Sequence, residues 1–65
     1  MKTYLGRVSH FSFYKEGDEL VVQSEEYEEF EERFAWEKRL EEYDREELTK
    51  ELYATYYTEL VKRYI

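Results

Sequence analysis

The chain has 65 residues, with 17 Asp+Glu against 10 Lys+Arg for a net charge of -7, and it contains neither Cys nor Pro. Zero cysteine excludes disulfides and thiolate zinc sites, and a single histidine, His10, excludes multi-histidine metal centres. A domain of this size buries only about 60% of the surface its unfolded chain exposes, so a dense core or a partner has to supply its stability.

One residue in five is aromatic, with eight Tyr, four Phe and one Trp. Such side chains make a small core go further, and an acidic disordered chain would be poor in them. Tyrosine carries a hydroxyl that needs water or a partner, which suits half-buried positions and interfaces. The charge is concentrated. Residues 1–15 carry +3, residues 16–32 hold nine acidic and no basic side chains, and residues 33–65 come to -1. A local acidic field is the result.

In chain order, residues 3–14 read as one strand, rich in aromatic and β-branched or hydroxyl residues such as Thr3, Tyr4, Val8, Phe11, Phe13 and Tyr14. Gly6 in its middle marks a bulge or a close backbone approach. Lys15-Glu16-Gly17-Asp18 is a turn, and residues 19–23, ELVVQ, form a second strand. With Glu16-Gly17 as the two-residue loop, Phe13 faces Leu20 and Phe11 faces Val22, which stacks four apolar side chains on one face; a bulge at Gly17 would move the pairing by one. The early part of the first strand, residues 3–9, then lacks a partner and forms an open edge.

A helix is expected over residues 24–43, with Ser24 as its N-cap and Glu25, Glu26 and Glu28 at its positive end. On it Tyr27, Phe30 and Phe34 share one face, and Trp36, Leu40 and Tyr43 share nearly the opposite one. Asp44 followed by Glu47 resembles a capping box and opens a second helix over residues 44–65, with an apolar ladder through Leu48, Leu52, Tyr56, Leu60 and Tyr64. The break at Asp44 rests on capping alone, and one continuous helix is the alternative. The expected fold is therefore α+β: a single 1–65 domain with a hairpin (1–23), an acidic helix (24–43) and a second helix (44–65), in ββαα order.

The chemistry for catalysis is thin, and the expectation is that the chain is not an enzyme. Nucleophilic catalysis needs an activated side chain beside a base. Ser9 and His10 are neighbours in a strand and point to opposite faces, so only Ser12 shares a face with His10. Two glycines cannot build a phosphate cradle. Glu25, Glu28, Glu29 and Glu32 have i, i+3 and i+4 spacing on a helix, but a straight helix does not wrap a calcium ion, so no metal and no cofactor are expected. Direct nucleic-acid binding requires a basic surface, and the charge has the wrong sign.

The acidic run carries the functional expectation. As a helix it sets Glu25 against Glu29 and Glu28 against Glu32, each pair destabilising by a few tenths of a kcal/mol, with only Glu29–Arg33 in relief. The later helix instead places opposite charges together, as in Glu46–Lys50 and Glu59–Arg63. Carboxylates one helical turn apart lie about 6 Å from each other, near the spacing of successive phosphates. The partner so implied is a basic protein that handles nucleic acid, and the surface comprises Glu16, Asp18, Glu19, Glu25, Glu26, Glu28, Glu29, Glu31 and Glu32, with Tyr14 and Tyr27 as aromatic anchors. The rival expectation is a homodimer or larger self-assembly through Trp36, Leu40 and Tyr43 and the open strand edge.

In size, composition and the Glu25–Glu32 run the chain resembles the small acidic inhibitors that bacteriophages encode, anti-CRISPR proteins and nucleic-acid mimics among them. The resemblance implies inhibition and transfers no residue role. Residues 1–7 lack the apolar stretch of a secretory signal, and no run approaches the roughly 20 apolar residues of a membrane span, so the expected location is the cytoplasm, that of the host if the chain is phage-encoded.

Overall fold

The computed structural model describes residues 1–27 and 29–64. Four strands come first: β1 (Lys2–Val8), β2 (Phe11–Glu16), β3 (Glu19–Ser24) and β4 (Glu31–Ala35). A short 3-10 helix, Lys38–Glu42, and one α-helix, α1 (Arg45–Tyr64), complete the fold. All strand pairs are antiparallel and the sheet order is β1-β2-β3-β4. The class is α+β, but the expected hairpin with two helices is corrected to a four-stranded meander with one helix.

The single strand expected over residues 3–14 is two strands. They join through Ser9-His10, with Val8 opposite Phe11 and Ser9 at φ 58°. Residues 3–8 are therefore paired with β2 rather than left open, and β1 is an edge on its outer side only. The next turn uses the same device. Glu16 pairs with Glu19, so its loop is Gly17-Asp18, with Gly17 at φ 59°. Phe13 consequently lies opposite Val22 and Phe11 opposite Ser24. The expected register is off by two residues, and a shift of two keeps every side chain on its face. Phe11, Phe13, Leu20 and Val22 still form one apolar surface and are all buried.

Gly6 is both a bulge and a close approach. Tyr4 pairs with Tyr14 but Gly6 with Phe13, so Leu5 is the extra residue. The bulge turns both Leu5 and Val8 toward the core and leaves Tyr4 and Arg7 on the other face. Gly6 sits at φ 148°, and a Cβ built there would lie 2.3 Å from Thr49 Cγ2. The helix lies on the strand at this point because there is no side chain between them.

The second helix stands where the capping argument places it. The Glu47 N–H donates to Asp44 Oδ1 at 2.9 Å and the Leu48 N–H to the Asp44 carbonyl at 2.8 Å. Lys62 and Arg63 occupy its last turn, as the helix dipole favours. Ile65, the expected last residue, lies outside the described residues. Leu48, Leu52, Tyr56 and Leu60 form the buried ladder against the sheet. No described helix is long and apolar enough to cross a membrane.

The first helix is the main correction. Ser24 does what a capping serine does, accepting from the backbone N–H of Glu26 (3.1 Å) and of Tyr27 (3.3 Å), yet no helix follows. Residues 31–35 pair with β3 instead, Leu20 lying opposite Phe34 and Val22 opposite Glu32. Strand pairing covers the β3 edge and puts Phe34 on the core, where its ring lies 4.5 Å from that of Tyr56. Arg39 then ties the crossing segment to the helix, donating to Glu37 and Glu51 at 3.0 Å each.

Candidate interaction surfaces

One face of the sheet is covered by α1. The other is open, and cross-strand register arranges it in rows. Tyr4, Tyr14, Val21 and Arg33 make the central row; Arg7, Ser12, Gln23 and Glu31 flank it at one end; Lys2, Glu16, Glu19 and Ala35 flank it at the other. The Tyr4 and Tyr14 rings lie 5.5 Å apart, with Lys2 Nζ 5.2 Å above Tyr14. Val21 has no exposed surface although it lies on this face. Its cross-strand neighbours, Tyr14 and Arg33, are large enough to close over it.

Arg33 is the electrostatic hub. Its Nη1 donates to Glu16 at 2.8 Å and to Glu19 at 3.0 Å, and its Nε donates to Glu31 at 3.2 Å. One guanidinium thus gathers carboxylates from β2, β3 and β4. The hydrogen bond from Arg33 holds the Glu16 carboxyl below its ordinary value. The Gln23 amide at 2.8 Å, and then Arg33, do the same for Glu31. These carboxylates hold the Arg33 guanidinium well above its ordinary value in return.

The expected acidic surface is therefore divided. Glu16, Glu19 and Glu31 are gathered by Arg33, Glu25 pairs with Arg7 at 2.6 Å, and Glu32 points to the helix side of β4 and pairs with Arg63. Asp18 sits in the β2–β3 turn, its carbonyl accepting from the Trp36 N–H at 2.9 Å. Glu26, Tyr27 and Glu29 are exposed in the connection between β3 and β4. Glu28 lies outside the described residues. Tyr14 is on the open face of the sheet. The like-charge ladder over Glu25, Glu29 and Glu32 is not formed, because residues 25–27 and 29–30 lie outside any helix or strand and residues 31–35 are a strand. Among the described residues no group of three or more carboxylate or histidine side chains is placed to hold a metal ion.

The rival aromatic face is also redistributed. Leu40 has no exposed surface and belongs to the core, and Trp36 and Tyr43 are half-buried against it. Lys15 Nζ lies 5.2 Å over the Trp36 ring. Ser9 and His10 are brought together after all, with Ser9 Oγ 3.2 Å from His10 Nδ1, because they occupy a turn rather than a strand.

No family model, curated protein or solved structure matches this chain.

Sequence reasoning missed Arg33 as a hub and Tyr4 as an exposed aromatic. The signal for the first was present: Arg33 is the first basic residue after seventeen positions without one. It also missed a second acidic corner, Glu41, Glu42, Asp44, Glu46 and Glu47, all exposed at the start of α1. The helix N-terminus favours negative charge there, which accounts for the last three.

Proposed function

We propose that this chain is a small acidic interaction protein that binds a basic protein surface through residues 25–30. The observation that carries the reading is Tyr27: it is 57% exposed, outside any strand or helix, in a segment with four glutamates and no basic residue. Burying that ring against a partner supplies an anchor, while the surrounding carboxylates steer a Lys/Arg-rich surface toward it. Nucleic-acid-handling proteins present such surfaces, and occupying one blocks its substrate. The reading rests on charge and an exposed aromatic. Phosphate-like spacing along a helix does not contribute, since residues 25–27 and 29–30 lie outside any helix.

The test compares capture of lysate proteins at low and high salt by the wild type, by Glu26→Lys/Glu29→Lys and by Tyr27→Ala. All three positions are exposed, so the fold is expected to survive, as circular dichroism checks. Basic proteins held at low salt by the wild type alone support the proposal. Equal capture by all three refutes it.

A further inference from the structure

Resting on the reading of residues 25–30 as the contact for a basic partner, we propose that the outer edge of β4 takes up an extended segment of that partner as a fifth strand. The two edges of the sheet differ. On β1 the extra residue Leu5 interrupts the ladder, Arg45 Nη2 donates to the Tyr4 carbonyl at 3.3 Å, and α1 packs against the strand at Gly6. A bulged and covered strand is a poor template for pairing. The five residues of β4 instead pair with β3 without a register shift.

The register fixes which backbone groups of β4 are already used. The Trp36 N–H donates to the Asp18 carbonyl at 2.9 Å, so Trp36, Phe34 and Glu32 turn their backbone groups toward β3. Glu31, Arg33 and Ala35 turn theirs the other way. Among the described residues nothing outside the ladder bonds to these N–H and C=O groups. Such a row of free donors and acceptors is what strand addition uses, with main-chain bonds supplying affinity and alternate side chains supplying specificity.

The surroundings of the edge define the occupant. On the helix side Phe34 and Trp36 are only half-buried, with no strand beyond them. Every second side chain of an added strand would lie against them, and apolar residues belong at those positions. On the open side Arg33 and Glu31 are bonded to each other at 3.2 Å, so the middle of the edge calls for no charge. The acid stands at one end: Glu29 is exposed just before β4, in the segment that also holds Glu26 and Tyr27. The fitting partner segment is extended, apolar at alternate positions, and bears Lys or Arg at the end beside residues 25–30.

The test is a titration of the isotope-labelled chain, at low salt, with a synthetic peptide of alternating valine and threonine that carries lysines at both ends, so that either strand direction is served. In the free chain the amides of Glu31, Arg33 and Ala35 should exchange readily and those of Glu32 and Phe34 slowly; bound peptide should slow the first three by about tenfold or more. A backbone N-methylated copy of the peptide keeps the side chains and the charge but cannot pair, and it should bind at least about tenfold more weakly. Ala35→Pro removes an N–H that faces away from β3, where an edge strand tolerates proline, and should weaken binding by a similar factor. Absence of binding at about 1 mM peptide, or equal binding of the N-methylated copy, overturns the edge as the site. So does protection of the same amides that grows with protein concentration alone, since β4 would then be pairing with a second copy. If Glu26→Lys/Glu29→Lys abolishes binding while N-methylation and Ala35→Pro leave it unchanged, the edge proposal fails and the acidic contact stands. If Glu26→Lys/Glu29→Lys binds as well as the wild type while Ala35→Pro does not, the reading of residues 25–30 fails, and with it the basic end of the occupant. Should Ala35→Pro not fold, the N-methylated peptide decides.

Discussion

Replacing Gly6 with alanine should be among the most damaging single changes available to this chain, and its cost divides into two parts. The first is local. A φ of 148° is a conformation that side-chain-bearing residues rarely adopt, which costs about 1–3 kcal/mol. The second is steric. The new Cβ would lie 2.3 Å from Thr49 Cγ2, far inside contact distance, so α1 must lift or the Thr49 rotamer must change. Overpacking of this kind costs about 1–3 kcal/mol. Together they remove about 2–6 kcal/mol from a 65-residue domain whose whole stability is about 3–10 kcal/mol. The melting temperature should fall by about 8 °C or more, at about 4–8 °C per kcal/mol for a domain of this size. Thr49→Ser separates the parts. Serine keeps a hydroxyl able to donate to the Glu46 carbonyl, a bond of 3.1 Å in the wild type, and deletes the offending methyl. In urea titrations of the four proteins, Thr49→Ser should recover about 1–2 kcal/mol of the Gly6→Ala loss and leave the φ cost in place. A Gly6→Ala variant that loses less than about 1 kcal/mol, or a double variant no better than the single, would refute the close packing of α1 on β1.

Three other outcomes follow from the same physics. Ser9→Gly should stabilise by about 0.5–1 kcal/mol, because Ser9 occupies at φ 58° the place that Gly17 fills in the neighbouring turn; thermal melting checks it. Asp44→Ala should destabilise by about 0.5–2 kcal/mol by leaving the Glu47 N–H without its cap, read as a lower urea midpoint. Glu16, Glu31 and Glu37 have carboxyls held below the ordinary value of 4.5 by Arg33, by Gln23 with Arg33, and by Arg39 with Tyr56 respectively. A carboxyl whose value is depressed by folding contributes stability that is full above 4.5 and lost as pH falls through the folded value. Melting temperature should therefore drop as pH falls below about 4.5, and Arg33→Gln should flatten that drop.

The second half of the chain was partly legible and the middle was not, for reasons visible at particular residues. Asp44 and the ladder Leu48, Leu52, Tyr56, Leu60 carry a helix signal that no tertiary contact opposes. Residues 29–37 fit two templates. Phe30 and Phe34 are spaced for a helix, but Phe30, Phe34 and Trp36 also fall on one side of a period-two alternation. The structure follows the alternation, with positions 30, 32, 34 and 36 half-buried and 29, 31, 33, 35 and 37 exposed. Glu32 hides it, since a glutamate at an inward position reads as a break. Its partner, Arg63, lies 31 residues later in α1, beyond the reach of any local pattern. The hairpin erred in the opposite way. Side-chain period fixed which faces meet, and the turn decided the register, because Gly17-Asp18 and Glu16-Gly17 both leave the apolar residues on one face. As for the acidic surface, helical spacing made Glu25, Glu29 and Glu32 one ladder, whereas strand pairing delivers Glu16, Glu19 and Glu31 to a single arginine.

The meander order has a consequence for how the molecule comes into being. Each strand pairs with the one made just before it, so the sheet through Ala35 can zip up in sequence as it is synthesised, with little loop entropy at any step. Its lid is made last. Until residues 36–64 follow, at roughly 5–20 residues per second, the face bearing Phe11, Phe13, Leu20 and Val22 stands open for about 1.5–6 seconds. A nascent chain halted before Arg45 would carry a finished sheet with an uncovered apolar side, which is the form in which this protein should aggregate. Docking of α1 ends that interval, by laying Leu48, Leu52, Tyr56 and Leu60 on that face and Thr49 against Gly6.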